Sequence, residues 1–448
     1  MKNEQINWDK LVSELAGIEV IQDTNQLIKL SLDYYHFSPI LQSKLKDNKA
    51  NIVVRPTSET EVLQIAKTCV KFKAPLTVRG AGTGNYGQSI PLEGGVILDT
   101  TKMNQINWIK PGFCCVQPGV KLVNIDKKGR EIGWELRMMP STFRIATIGG
   151  FIGGGSGGIG SINYGGLRDR GNISAVRVVT MEDEPRVIEL RGDDVQKVNH
   201  AYGTNGIITQ LEIPLTYSYP WAELIVTFDD FMTCAKFGQA LGDTDGIVKK
   251  LISIFAWPIP SFFSGIKNSI SEGKHCALLM ISEYSLEPFA DLVKEFNGNI
   301  CYQKSAPEAS KGTPLAEFTW NHTTLHARNF DSNLTYLQSS FPADKNLLLV
   351  EDMYKYFGDE VMMHLEFTRV NGQTKPGGLQ IVHYSTEERL NQIIKYHEEN
   401  GVMIFNPHTY ILEDGGMKSV DVEQLEFKKK VDPYGLLNPG KMRAWFER

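Results

Sequence analysis

Glycine is concentrated between Gly149 and Gly166, where the sequence GGFIGGGSGGIGSINYGG holds ten glycines in eighteen positions. Each glycine inside a regular helix or strand costs ~0.5–1 kcal/mol of backbone entropy, so this density predicts an irregular loop. A second cluster, RGAGTGNYG, covers residues 79–87. Successive backbone N–H groups in such loops can bind phosphate, and Arg79 could offset its charge. Two such loops predict a cofactor with a diphosphate and an extended body; the alternative is that these glycines only form turns.

The first cluster also contains the letters GxGxxG over residues 82–87. In a dinucleotide-binding Rossmann fold these glycines open a helix whose N-terminus holds the pyrophosphate. Here the chain continues as QSIPLEGG, and Pro91, Gly94 and Gly95 would interrupt that helix. We therefore interpret residues 82–87 as a loop and reject the Rossmann fold.

The elements that must position these loops are short strands and helices. Residues 51–56 and 75–80 read as strands, and Val62, Ile65, Ala66 and Cys69 have helical spacing between them. Later in the chain, strands are predicted at 223–228, 276–282, 299–303, 347–352, 360–370 and 379–385. Helices are predicted at 231–242, 286–296, 315–329 and 387–400. This alternation favours an α+β unit, an antiparallel sheet covered by helices on one face.

The composition excludes several classes of protein. The hydrophobic share is 42% and the charged share 22%, as in soluble globular enzymes, and the net charge of −5 argues against nucleic acid as a partner. The six cysteines form no CxxC pair, which argues against a zinc or iron–sulfur site built by this chain. Their scattered positions fit a reducing, cytoplasmic location. The polar N-terminus is unlike a signal peptide, and no apolar run approaches the ~20 residues of a membrane span.

Three segments resemble one known family. RGAGTGNYGQSIPLEGGVILDTTKM and PSTFRIATIGGFIGGGSGGIGSINYGGLRDRGNISAVRVVT are similar to the two flavin-binding segments of the p-cresol methylhydroxylase/vanillyl-alcohol oxidase superfamily. DPYGLLNPGKM resembles the C-terminus of glycolate oxidase flavoprotein subunits and FAD-linked D-lactate dehydrogenases. The resemblance implies an FAD domain of two subdomains and a separate substrate domain. We place an N-terminal helical segment at 1–50, the FAD domain at 51–217, the substrate domain at 218–405 and a C-terminal segment returning to the FAD domain at 406–448.

The resemblance also implies which residues contact FAD. Those expected at the diphosphate, with Arg79 beside them, are Gly80, Ala81, Gly82, Thr83, Gly84, Asn85, Gln88 and Ser89. Those expected along the flavin and ribityl chain are Pro140, Ser141, Thr142, Ala146, Thr147, Gly149, Gly150 and Gly153, and Gly206, Ile207 and Ile208 are expected at the adenine or the ring edge. Relatives that tether FAD covalently use a histidine or a cysteine where this chain has Thr83 and Ile145, so noncovalent FAD is expected.

On the substrate side, residues 360–370 alternate with a period of two. Met363, Leu365 and Phe367 should face the helices, while His364, Glu366 and Thr368 should face the other way. In the family that second face covers the flavin ring, so His364 and Glu366 are candidates for substrate contact, with Gln380 or His383 and Tyr384 from the neighbouring strand. The alternative is a solvated polar face.

Two further histidine groups are candidates for chemistry. Relatives have a histidine near the flavin at about the place of His408, which could take the hydroxyl proton while Tyr410 orients the substrate; alternatively His408 caps a turn. His322 and His326 are spaced i, i+4 and could chelate a metal, or could simply be partly buried. The GDGN segment that accompanies metal-binding histidines in related dehydrogenases is absent here, so we predict no metal.

These observations predict an FAD-dependent oxidoreductase that oxidises the CH–OH group of a small 2-hydroxy acid, of the glycolate or D-lactate type, by hydride transfer to flavin N5. One alternative is an aldonolactone, sugar or other alcohol oxidase of the same superfamily. An alternative of another class is a flavin-binding electron-transfer subunit without turnover. The expected partners are the substrate and an unidentified electron acceptor, together with further copies of the chain or a partner subunit.

Overall fold

The computed structural model describes residues 6–447, so the first five residues of the predicted N-terminal segment and Arg448 lie outside the described residues. The strands are β1 Glu19–Ile21, β2 Ile52–Arg55, β3 Leu76–Arg79, β4 Val96–Asp99, β5 Ile106–Lys110, β6 Phe113–Val116, β7 Trp134–Leu136, β8 Ala175–Val179, β9 Val187–Arg191, β10 Ile207–Tyr217, β11 Trp221–Phe228, β12 Lys249–Phe255, β13 His275–Ser282, β14 Asn299–Lys304, β15 Leu334–Tyr336, β16 Ser339–Ser340, β17 Val361–Met362, β18 His364–Val370, β19 Gln373–Gly378, β20 Ile381–His383 and β21 Met403–Ile404. The α-helices are α1 Trp8–Ser13, α2 Thr24–Leu30, α3 Pro39–Leu45, α4 Glu59–Phe72, α5 Leu122–Arg130, α6 Ile148–Gly154, α7 Ser161–Tyr164, α8 Phe231–Asp243, α9 Leu286–Glu295, α10 Ala306–Ala309, α11 Asn321–Phe330, α12 Asn346–Phe357, α13 Glu387–Glu399, α14 Val422–Val431 and α15 Arg443–Phe446.

The first part of the chain builds two sheets. In the four-stranded sheet, β2, β4 and β3 run parallel, and β1 pairs antiparallel with β2, so the N-terminal segment contributes a strand that its helical appearance did not predict. Helix α4 begins after Ser58, whose hydroxyl accepts a hydrogen bond from Glu61 N, and it buries its predicted apolar face against this sheet. The second sheet is antiparallel in the order β5-β6-β10-β8-β9, with β7 also paired to β10. The C-terminal segment returns to the first sheet, where Leu76 N donates to Leu436 O and Asn438 N donates to Leu76 O.

The long glycine stretch is partly helical, which corrects the predicted loop. Helix α6 covers Ile148–Gly154, with Thr147 as its N-cap, and α7 covers Ser161–Tyr164. A Cβ on Gly149 would lie 2.5 Å from Pro118 Cβ. Helix α6 therefore packs too closely on the segment around Pro118 for a residue larger than glycine. The entropy cost of its glycines is therefore offset by close packing and by hydrogen bonds within the helix.

The second part of the chain forms an eight-stranded sheet in the order β14-β11-β13-β12-β18-β19-β16-β21. One face packs on α8, α9, α12 and α13, and Met363, Leu365 and Phe367 lie in that core as predicted. Residues 347–352 belong to the N-terminal half of helix α12 rather than to a strand, because Asn346, Val350, Met353 and Phe357 are the buried positions and have helical spacing. Strand β12 was not predicted, and the predicted helix 315–329 is broken at Trp320, before α11.

A buried ion pair joins the two parts of the chain. Lys250 of β12 donates from Nζ to Glu135 Oε1 of β7 at 2.7 Å, and both side chains are at most 2% exposed. Trp221 Nε1 donates to the same carboxylate, and Arg130 pairs with it from the outside. Among residues 6–447, none of the helices combines the length and apolar character needed to cross a bilayer.

Replacing Lys250 with methionine should lower the free energy of unfolding by up to about 3–5 kcal/mol, because Glu135 would stay buried after losing its buried cation and would keep only the partly exposed Arg130. Chemical denaturation of the purified protein measures this change. Lys67→Met is the control, since the pair of Lys67 with Glu184 is exposed and should contribute less than about 1 kcal/mol. Equal losses in the two variants would contradict the assigned role of the buried pair.

Candidate functional site

One cavity of about 500 Å³ lies where the glycine segments meet the eight-stranded sheet. Its lining combines backbone from the first glycine cluster, backbone from α6 and the segment after it, and side chains of β16, β18 and β19. The predicted FAD-contacting residues that line it are Gly80, Ala81, Gly82, Thr83, Gly84, Asn85, Gln88, Ser89, Pro140, Ser141, Thr142, Ala146, Thr147, Gly149, Gly150, Gly153, Gly206 and Ile208. The structure thus brings together nearly the whole predicted set in one concave site, the usual form of a cofactor pocket.

Two predicted contacts lie behind this lining. Ile207 is fully buried in the core around the first sheet. Arg79 lies under the first glycine loop, where its Nη1 donates to Leu32 O at 2.5 Å. A Cβ on Gly82 would sit 2.1 Å from the Arg79 guanidinium, which explains the glycine at this positive φ of 66°. Arg79 therefore supports the loop from behind the cavity lining.

A second buried charge supports the same loop. Lys441, in the C-terminal NPGKM segment, is fully buried and donates from Nζ to Gly87 O at 2.5 Å. Asp33 lies close enough for the two groups to shift each other's pKa, and burial raises the pKa of the carboxyl and lowers that of the ammonium. Tyr34 N donates to Gly84 O at 2.7 Å. The N-terminal and C-terminal segments therefore hold the first glycine loop in place.

The second glycine segment offers space at the cavity wall. Thr147 Oγ1 accepts a hydrogen bond from Gly150 N at 3.4 Å. A Cβ on Gly153 would meet no atom within 4 Å, and one on Gly150 would meet only Thr147 Oγ1, at 3.1 Å. Both glycines line the cavity, so an extended ligand can lie directly against their backbone.

On the opposite wall, Glu366 is the centre of a hydrogen-bond network. Its Oε1 accepts from Trp320 N at 2.6 Å, and its Oε2 accepts from Ser253 Oγ at 2.6 Å. His364 Nε2 lies 2.9 Å from Oε1, and His364 Nδ1 lies 3.2 Å from Leu379 O. Both ring nitrogens of His364 therefore face oxygen atoms, and the contact with Glu366 needs a hydrogen on one of the two facing atoms. Glu366 lines the cavity, while His364 lies behind it, fully buried and stacked on Phe255.

Trp320 has an unusual backbone that serves this network. It has φ 53° and ψ −140°, which is strained for a residue with a side chain. The strain breaks the predicted helix, turns the Trp320 N–H towards Glu366 and places the indole in the cavity lining. Strain of this kind is a common feature of functional sites.

The structure adds lining residues that the sequence did not indicate. They include Tyr86, Trp320, Asn321, Gln338, Ser339, Ser340, Lys375, Gly377 and Phe405. Gln338 Nε2 donates to Tyr86 OH across the junction of the two parts of the chain. Four of these nine residues come from β16 and β19, and β19 was not predicted because Pro376, Gly377 and Gly378 are disfavoured in strands.

His408 and Tyr410 lie outside the cavity lining of the described chain. His408 is buried, with Nδ1 2.8 Å from Ser38 Oγ and Nε2 2.9 Å from Tyr336 O. Burial lowers the pKa of His408 to about 4. Because both ring nitrogens are already hydrogen-bonded, this geometry argues against the predicted role of His408 as the base and favours a structural role. Tyr410 packs near Gly87, and its ring faces Lys441 Nζ at 5.1 Å.

The burial of His408 predicts how stability depends on pH. An unfolded histidine binds a proton near pH 6.5, but folded His408 does so only near pH 4, so acidification between these values favours the unfolded state by up to roughly 3 kcal/mol. Urea unfolding at pH 7.5 and pH 5 should show lower stability at pH 5 and a smaller difference in His408→Asn. The comparison of variants isolates His408, because both proteins keep the other buried groups with shifted pKa values, such as His200, which acts in the same direction, and Asp33, which acts in the opposite one. An unchanged pH dependence in His408→Asn would contradict this prediction.

The other candidate residues are not assembled at the cavity. His322 Nδ1 lies 3.0 Å from Glu317 Oε2, and His326 Nε2 lies 3.0 Å from Glu317 O. Within residues 6–447 no group of three or more His, Cys, Asp or Glu side chains could hold a metal ion. Gln380 is buried against Ser339 and His397, while His383 is exposed.

The donor groups and the shape of the cavity fit FAD. The first glycine loop offers backbone for a diphosphate, and the open faces of Gly150 and Gly153 leave room for a flat ring or its chain. Residues Gly206 and Ile208 extend the lining further within the FAD domain.

Comparisons with known proteins give the same assignment. Residues 50–188 match a family model described as an FAD binding domain. A D-lactate dehydrogenase of Anaerostipes hadrus is 30% identical over 221 residues, which cover 46% of this chain and 44% of that protein. The glycolate oxidase subunit GlcD of Escherichia coli (strain K12) is 26% identical over 251 residues, which cover 53% of this chain and 47% of that protein. The chain thus spans about half the length of the curated relatives it matches.

A solved structure extends the comparison to the whole fold. An alkyldihydroxyacetonephosphate synthase superposes with a TM-score of 0.74 at 17% identity, covering 97% of this chain and 85% of that one. The predicted α+β fold, family resemblance and FAD cofactor are confirmed. Residues 50–188 therefore form an FAD-binding domain of the p-cresol methylhydroxylase type, and about half of the chain is similar to glycolate oxidase subunits and D-lactate dehydrogenases.

Proposed function

We propose that this protein is an FAD-dependent oxidoreductase that oxidises the CH–OH group of a small 2-hydroxy acid, of the glycolate or D-lactate type. The observation that carries the proposal is the cavity that joins the two glycine segments to the sheet face holding Glu366. Relatives named for glycolate and D-lactate support the substrate class. When bound, FAD supplies the hydride acceptor at N5.

The protein's own residues would orient the substrate and move its proton. Among the described residues, Glu366 is the acidic side chain in the cavity lining. Its carboxylate is held by Trp320 N and Ser253 Oγ, and its Oε1 also faces His364 Nε2. We therefore propose that Glu366 accepts the hydroxyl proton and that His364 positions the Glu366 carboxylate.

A substrate screen tests this function. The purified yellow protein, kept free of oxygen, is mixed in turn with glycolate, D-lactate, L-lactate, an aldonolactone and a simple sugar, and bleaching of the oxidised flavin is followed. Bleaching by a 2-hydroxy acid is expected. Reduction by the lactone or the sugar alone would favour the alternative oxidase, and no reduction by any of them would favour an electron-transfer subunit.

The FAD is expected to be noncovalent. Thr83 lines the cavity but has no nucleophilic ring nitrogen, and the side chain of Ile145 has no thiol and is exposed. Acid precipitation should therefore leave a colourless pellet and release FAD into the supernatant. A yellow pellet would show a covalent link, and FMN in the supernatant would contradict the cofactor assignment.

A further inference from the structure

Lys375 is a positive charge in the cavity wall. It lies on β19, where its backbone pairs with Thr368, and its Nζ donates a hydrogen bond to Ser340 Oγ at 3.0 Å. Within residues 6–447, no ion pair includes Lys375. Burial alone lowers the pKa of its ammonium. A partly buried ammonium has three donors, so Lys375 keeps hydrogen-bonding capacity for an anion that enters the cavity.

The other charge in the lining has hydrogen-bond partners within the protein. The charged side chains among the described lining residues are Glu366 and Lys375. The Glu366 carboxylate has Trp320 N, Ser253 Oγ and His364 around it. Of the two charged side chains on this wall, Lys375 is therefore the one that can select a ligand by its charge.

Gly377 lies between the two charges and leaves the sheet surface open there. It is the cross-strand partner of Glu366, just as Lys375 is the partner of Thr368. A Cβ on Gly377 would meet only Glu366 O and Ser339 O, both at 3.7 Å, and Gly377 lines the cavity. A glycine in a strand often marks a place where a ligand approaches the backbone closely. Alternate residues of a strand lie on one face about 7 Å apart, so a small ligand over Gly377 can reach both Lys375 and Glu366.

We propose that Lys375 binds the anionic group of the substrate, a carboxylate, while the carbon to be oxidised lies over Gly377 near Glu366. This inference rests on the proposed function and names the residue that selects acids over neutral alcohols. The same chemistry could come from a phosphate of the cofactor. We assign it to the substrate because Lys375 shares its sheet face with Glu366, whereas the predicted diphosphate contacts lie on the glycine loops of the other domain.

Oxalate binding to the FAD-loaded protein tests the inference, because oxalate carries the carboxylate but has no CH–OH group to oxidise. Titration is followed by the change in the flavin spectrum in the parent, Lys375→Met and Lys375→Arg. Loss of a charged hydrogen bond should weaken oxalate binding by roughly 10–100-fold in Lys375→Met. Lys375→Arg keeps the positive charge and should keep most of the parental affinity for oxalate. The affinity for FAD, measured separately on the apoprotein, should be the same in all three.

The other outcomes are distinct. If Lys375→Met binds FAD more weakly but oxalate normally, Lys375 contacts a cofactor phosphate and the inference is overturned. Absence of oxalate binding in the parent, or equal binding in the parent and Lys375→Met, also overturns it. If oxalate binding depends on Lys375 but no 2-hydroxy acid reduces the flavin, the anion site stands and the proposed function fails.

Discussion

Gly153→Val should abolish FAD binding while the protein still folds. A Cβ on Gly153 meets no protein atom within 4 Å, so a side chain has room to leave the helix there. It would instead enter the cavity at the wall where α6 faces the ligand. Valine is also tolerated in a helix better than glycine, so the helix itself should not be destabilised. The expected result is a colourless protein with a near-parental thermal unfolding curve.

The flavin-to-protein absorbance ratio after purification, together with titration of the apoprotein with FAD, measures this loss. Gly246→Val is a matched control, since a Cβ on Gly246 also meets no atom within 4 Å and Gly246 lies outside the cavity lining. Gly150→Val should behave like Gly153→Val. Full flavin content in both cavity variants would show that the cofactor does not lie against α6.

The glycine residues show how far the sequence can define the cofactor site. Nearly all predicted contacts line one cavity. They could be predicted because glycine-rich clusters expose their backbone and because the resemblance assigns each cluster to a part of FAD. The shape of the second segment could not be read in the same way. From its composition alone, α6 contains too many glycines to be predicted as a helix. The helix depends on the close approach of Gly149 to Pro118, a contact between residues far apart in the sequence.

The substrate wall shows the opposite case. The alternation of residues 360–370 predicts correctly which side chains face the helices, and it points to Glu366. The neighbouring strand carries Lys375 and was missed, because Pro376, Gly377 and Gly378 are a turn-like sequence. His408 is a candidate from the resemblance, yet its position next to Ser38 and Tyr336 depends on how the N-terminal segment packs. Local sequence patterns do not contain that information.

Glu366→Gln should slow reduction of the flavin by the true substrate by about 10²–10⁴-fold, the usual contribution of a general base. Glutamine has the same shape and can still accept from Trp320 N or Ser253 Oγ, but it cannot take the hydroxyl proton. FAD content should stay normal, because Glu366 lies on the substrate sheet rather than on the glycine loops.

Stopped-flow reduction under anaerobic conditions measures the rate constant at saturating substrate and so separates the proton step from substrate binding. His364→Gln removes the ring that faces the Glu366 carboxylate and should change the pH profile of reduction as well as its rate. His408→Ala is the competing variant, which should lose stability and keep most of its rate constant, because both ring nitrogens of His408 are bonded outside the cavity. If His408→Ala shows the large loss and Glu366→Gln reduces at the parental rate, His408 is the base and must reach the substrate in a conformation different from the one described.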